Sequence, residues 1–323
     1  MNKLLKLFYD NKKVIYRTIG IIVLTLIIIQ ILNQFTKAKV SKQIEEQKNN
    51  IDSGNTTTID NSNYLINNNK NVKTSTNNTI KNTLDLFINY CNNGQVENAY
   101  SMLTDDCKNE LFQTVEIFKT NYYDKVFNEK KTYTMQAWDK TDNRIVYQIL
   151  FEGDILETGM SGKKQEDFYT FIKQSDGSYK ISINSYIYRQ EFNGVNNTES
   201  GIGVKVIAKD VYRSYVIYEF QIFNNSDNSI MIDNDKITKT IYLIDNSNIK
   251  YSSIENSLIT KGEIVLQPGS NRKYEVKFNK AYNSNVQETS LVLSNIVMNY
   301  DEYKNSTDTE NYTNRISIKV KLN

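Results

Sequence analysis

The chain has 323 residues, with 39 basic and 37 acidic side chains and a net charge of +2. That balance supplies no basic footprint for nucleic acid and no acidic tail. Histidine is absent and cysteine occurs twice, which excludes Ser-His and Cys-His nucleophile pairs, imidazole ligation and a tetrahedral cysteine–histidine zinc site.

From Ile19 to Leu32 the residues are nearly all aliphatic, interrupted by Gly20, Thr25 and Gln30. Extended from Val14 to Phe35, with Arg17 snorkelling, the run gives roughly 33 Å of helix against a hydrocarbon core of about 30 Å. Ala38 sits between Lys37 and Lys39, a poor cleavage site, so an uncleaved anchor is expected. Lys3, Lys6, Lys12, Lys13 and Arg17 precede the run and favour a cytoplasmic N-terminus. Residues 1–17 are thus expected as a cytoplasmic tail, 18–35 as a transmembrane helix in the lipid bilayer, and the bulk of the chain outside the cell. Residues 36–78, rich in Asn, Thr and Lys, read as a flexible stalk; a coil of about 40 residues reaches roughly 35 Å.

Helical periodicity begins at Thr79. Ile80, Leu84, Phe87 and Cys91 share one face, and Asn92, Asn93 and Gly94 supply a left-handed stop. Val96, Ala99, Tyr100 and Leu103 mark a second helix. Thr104 or Asp105 caps a third, and Thr114 opens a fourth carrying Phe118, Tyr122 and Val126. After Lys130 the period changes to two: Ile145, Tyr147, Ile149 and Phe151 alternate, and Asp176-Gly177 joins two further runs as a hairpin turn. Helices followed by an antiparallel sheet predict an α+β layer.

The stretches FINYCNNGQVENAYSMLTDDC, VEIFKTNYY and DGSYKISINSY resemble the NTF2-like superfamily. Within it they are similar to membrane-tethered versions from Gram-positive bacteria, such as the N-terminal domain of methicillin-resistance type penicillin-binding proteins and conjugation proteins resembling VirB8 and TcpC. The resemblance implies an NTF2-like cone over residues 79–190, in which N-terminal helices wrap a curved antiparallel sheet. It also implies an assembly role at the cell membrane.

Residues 191–201 read as a polar linker. From Gly201 the chain is a series of short strands, ending in RISIKVKL with Ile316, Ile318, Val320 and Leu322 alternating, and Pro268-Gly269 fits a type II turn. Residues 202–323 are expected as an all-β sandwich resembling bacterial Ig-like domains.

No catalytic, cofactor-binding or metal-ligating residue is assigned. Asp85 near Tyr133 or Tyr147 is the nearest approach to an acid–base pair, and helix capping explains at least one of Asp105 and Asp106 without catalysis. The turns at Ile232 to Lys236 and Ile244 to Asn248 lack the glycine and distal glutamate of a calcium loop. Tyr122, Tyr123, Trp138, Tyr186 and Tyr188 are the candidates for an interface or ligand groove, where such residues are favoured. Outside the cytoplasm Cys91 and Cys107 are expected to form a disulfide closing about 15 residues, worth about 3 kcal/mol; the rival reading is two buried free thiols. The expected function is a non-catalytic envelope adapter acting on a protein partner or by self-association, within a conjugation or secretion apparatus. The alternatives are a surface protein binding wall polymer or a small ligand in the NTF2-like concavity, and then a hydrolase or isomerase of that fold.

Overall fold

Ile80, Leu84, Phe87, Ile88 and Cys91 line the buried stripe of helix α1 (Thr74–Asn92), as helical spacing demands. The computed structural model describes residues 72–153, 164–232, 240–254 and 264–322. Gly94, at φ +70°, ends α1; the Gln95 N–H returns to the Tyr90 carbonyl at 2.9 Å, closing a left-handed C-terminal cap. Helix α2 (Val96–Ser101) follows. The Thr104 hydroxyl accepts from the Cys107 N–H and starts α3 (Asp105–Leu111). Thr114 does the same for α4 (Val115–Phe118) through Ile117. That helix runs into a π-helical turn (Lys119–Tyr123) and then α5 (Asp124–Val126).

The first sheet is antiparallel in the order β1 (Lys131–Lys140), β2 (Arg144–Gly153), β3 (Gln165–Lys173), β4 (Tyr179–Ser182). Gly177, at φ +86°, forms the turn between β3 and β4, held by the Asp176 carboxylate on the Ser178 N–H. Alternation divides its side chains between two cores. Ile145, Tyr147, Ile149 and Phe151 pack with Phe87, Phe112 and Phe118 from the helices. Val146 and Phe168 belong instead to the core of the remaining strands, with Trp138 against it. Each large side chain buried here contributes about 1.5–3 kcal/mol.

The strands that follow are β5 (Tyr186–Glu191), β6 (Asn196–Glu199), β7 (Ile202–Tyr212), β8 (Val216–Asn224) and β9 (Ile230–Ile232). Then come β10 (Ile241–Asp245), β11 (Lys250–Ser252), β12 (Val265–Leu266), β13 (Asn271–Phe278), β14 (Glu288–Val297) and β15 (Arg315–Lys321). A short helix α6 (Tyr300–Lys304) precedes the last. One sheet has the order β13-β8-β7-β5 with β6 on β7; the other runs β11-β10-β14-β9-β12 with β15 on β14. Their inner faces meet through residues such as Phe220, Val276, Leu291 and Val320.

The expected architecture is therefore corrected. Among the described residues strands make up 46% and helices 22% of a mostly β fold with three antiparallel sheets, and they do not show a cone of helices followed by a curved sheet. The first sheet is buried on both faces, by helices on one and by the later strands on the other. Nor do the strands after Gly201 stand alone as an Ig-like sandwich. Strand β5, from before the expected linker, pairs with β7, and β6 lies within that linker. The described residues belong to one compact unit. Among them no helix is long and apolar enough to cross a membrane; the expected tail at 1–17, the anchor at 18–35 and the stalk up to residue 71 lie outside the described residues.

Candidate functional site

A cleft of about 430 Å³ opens where the first sheet meets the second. Strand β2 contributes Arg144, β5 Tyr188 and Arg189, β7 Lys209, and the segment after β13 supplies Lys280 and Tyr282; Glu288, the first residue of β14, closes it. Two bulges shape the wall. Register shifts at Tyr186/Tyr188 in β5 and at Val206/Ala208 in β7 re-aim the side chains that follow. Loop and sheet are tied by the Ser284 hydroxyl, which donates to Asp139 in β1 at 2.9 Å.

Lys209 and Lys280 share one carboxylate. Their ammonium groups lie 2.7 Å from the two oxygens of Glu288, and all three side chains are buried, none more than 9% exposed. Burial alone would raise the Glu288 carboxyl, but the two lysines hold it below its ordinary value. Buried Tyr218 beside it is pushed well above the ordinary phenol range, by desolvation first and by the Glu288 charge second. The triad alone carries one more positive charge than negative, and the buried Asp245 carboxylate, whose charged form Lys280 also favours, is a further counter-charge beside it. Buried cations of this kind are costly unless paired.

Arg144 adds a further cation, near the buried carboxylate Asp139; both act on the Tyr282 hydroxyl. The Arg144 guanidinium lies 3.8 Å from the centre of the Tyr188 ring, and its Nε is buried without a hydrogen-bond partner. Tyr188, Tyr282 and Trp138 continue as a ladder, with ring centroids 6.4 and 5.7 Å apart, and Arg213 caps it 4.7 Å above Trp138. Arg189, by contrast, is saturated: it binds Glu191 and Glu219 at 2.7 and 2.8 Å and also pairs with Asp210. Glu219 is paired again, with Lys273. Asp210 is pushed up to about 6, by burial first and with Glu110 adding to it, against the pull of the Tyr186 hydroxyl and Arg189.

A second polar cluster lies deep under the helices. The Asp167 carboxylate accepts from the Tyr122 hydroxyl (2.9 Å), the Phe168 and Asn184 N–H groups (2.7 and 3.0 Å) and the Ser185 hydroxyl (3.1 Å). Tyr169 joins Tyr122 at 2.6 Å. Asn184 and Ser185 are consecutive residues at φ 59°, a conformation unusual for non-glycine residues, and the carboxylate holds both. Burial raises Asp167 despite these donors. The π-helical turn is what delivers Tyr122 to it.

The expected site residues thus scatter. Tyr122 is a core residue on Asp167. Tyr123 donates to the Cys91 carbonyl at 3.1 Å and stacks on Phe127. Tyr186 is fully buried and donates to Asp210 at 2.8 Å. Trp138 packs behind the cleft on Phe168 and Tyr282, and only Tyr188 of the five lines it. Cys91 and Cys107 are both buried and free in place of a disulfide. Burial pushes both thiols up, Cys107 to about 12, so neither is a ready nucleophile. Asp85 sits at the surface, where it accepts from Tyr133 at 2.6 Å and pairs with Lys81, and Tyr147 donates to Asn77.

No family model and no curated protein matches the chain. The residues missed from sequence are Arg144, Lys209, Lys280 and Glu288. One signal for them was present: Lys209-Asp210 interrupts the otherwise apolar run from Val206 to Tyr212, and charges inside a buried strand demand partners.

Proposed function

We propose that this is a non-catalytic binding protein of the cell envelope, held at the membrane through the apolar run at 18–35, which takes an anionic ligand in the cleft at Arg144, Lys209 and Lys280. One observation carries the reading: two buried lysines on one carboxylate line the same cleft as an arginine held by an aromatic ring. Phosphate or carboxylate chemistry complements that arrangement. A non-catalytic role is supported by the lack of histidine, by two thiols raised by burial and by an Asp167 carboxylate already engaged by four donors. Among the described residues the only exposed large apolar side chains are Leu86 and Ile249, so the cleft, rather than an apolar protein-docking patch, supports the reading.

Trp138, the single tryptophan, packs on the cleft residue Tyr282 and reports occupancy. Titrating the full chain in detergent with inorganic phosphate is expected to change its emission saturably, and Arg144→Gln is expected to abolish the change. If neither phosphate, pyrophosphate nor a dicarboxylate binds in calorimetry, the reading fails.

A further inference from the structure

Arg144 lines two clefts. Besides the one described, a second of about 210 Å³ is bordered by Lys73, Lys140, Asp142, Arg144 and Lys173, with Thr76, Asn143 and Tyr179 among its polar lining. Arg144, which starts β2 after the turn from β1, is the residue common to both linings. The second cleft is bordered by three lysines and Arg144 against a single carboxylate, Asp142. Lys73 and Lys173 are exposed, so they offer mobile, solvated charges, where the first cleft offers a buried, preorganised one. A compact anion fills only one of these places. A chain with a negative charge on every repeat reaches both.

We infer that the two clefts form one track for a linear, flexible phosphate polymer, with Arg144 at the joint between a buried anchoring position and an exposed one. This rests on the anion-binding reading above. Hydroxyl and amide groups among the second cleft's lining suit a polyol or sugar backbone between phosphates, and exposed lysines tolerate a variable register. Nucleic acid is the poorer fit: Tyr188 is already covered by Arg144 and Tyr282 is buried, so neither ring is presented as a platform for bases.

The test uses the full chain in detergent, with inorganic phosphate, long-chain polyphosphate and a single-stranded DNA of equal charge as probes. Polyphosphate is expected to bind roughly 10-fold or more tighter than phosphate, because engaging a second site on one chain is intramolecular. Lys73→Gln with Lys173→Gln is expected to weaken polyphosphate about 10-fold and to flatten its salt dependence by about 0.7 log units per lost phosphate contact. Phosphate binding should be unchanged by that pair, and the thermal midpoint should hold, since both side chains are exposed. Unaltered polyphosphate binding in the double variant would overturn the track and leave the single cleft standing. Loss of all binding in the unsubstituted protein would overturn the anion site itself. DNA binding as tightly as polyphosphate would overturn the assignment to a base-free polymer.

Discussion

The two buried carboxylates Asp167 and Glu288 have opposite surroundings. Asp167 meets only neutral donors, four of them, and burial leaves its carboxyl above the ordinary value. Glu288 meets two ammonium groups and is held below its ordinary value. The first cluster is closed: each carboxylate oxygen is used, and its charge is met by neutral donors alone. The second is open to a cleft and sets Lys209, Lys280 and Arg144 in its wall. Polar groups satisfied within the chain specify a structure; cations presented to a cavity have capacity for a ligand.

The comparison breaks most visibly at Asp167. Asp167→Ala strands two hydroxyls and two backbone N–H groups, one of them in the strained pair Asn184-Ser185, and is expected to cost about 4 kcal/mol. Urea unfolding measures that loss, and added phosphate should not restore it. Glu288→Gln removes the carboxylate shared by two buried lysines and is expected to cost about 3 kcal/mol at neutral pH. Here phosphate at ten times its Kd should recover about 1.4 kcal/mol, because it binds only the folded chain. Glu288→Gln should also remove an acid-side slope. A carboxyl held low stabilises the fold above its ordinary value near 4.5, and that contribution is lost as pH falls through the folded value.

Asp210 has the reverse sign. Its folded value of about 6 lies above the ordinary 3.8, so the folded state binds the proton more tightly and stability declines as pH rises from 3.8 through about 6. Asp210→Asn should flatten the unfolding midpoint across that interval, with Tyr186, Arg189, Glu110 and Glu219 left in place. The smallest effect on stability is expected from Arg144→Gln, about 1 kcal/mol for a partly buried stacked cation. Its loss of phosphate affinity, read by calorimetry, should nonetheless be at least about 10-fold, as expected for a charge-assisted contact.

Local signals in the sequence were legible wherever the physics was local. The stop at Gly94, the caps at Thr104 and Thr114, the Asp176-Gly177 turn and the shared face of Ile145, Tyr147, Ile149 and Phe151 all follow from neighbours within a few residues. Pairings over long separations were not. Lys209 finds Glu288 across 79 residues, and nothing near either residue announces the other. Tyr186 and Tyr188, grouped as candidates for one interface or groove, part for a similar reason: the register shift between them sends Tyr186 to the helical core and leaves Tyr188 at the cleft. The architecture was missed for a related reason: alternation in β2 revealed the helix-facing side, while Val146, Phe168 and Trp138 gave no sign that a second core covered the other.

The doubly covered first sheet has a genetic consequence. A recombination breakpoint between Glu191 and Gly201, where composition alone invites one, would separate β5 from β7 and bare Val146, Phe168 and Trp138 on one product. Neither product would inherit a finished interior. Lineages of this protein are therefore expected to pass on the region from Val72 to Leu322 as one indivisible exon-like block, varying by substitution and loop insertion rather than by shuffling of halves.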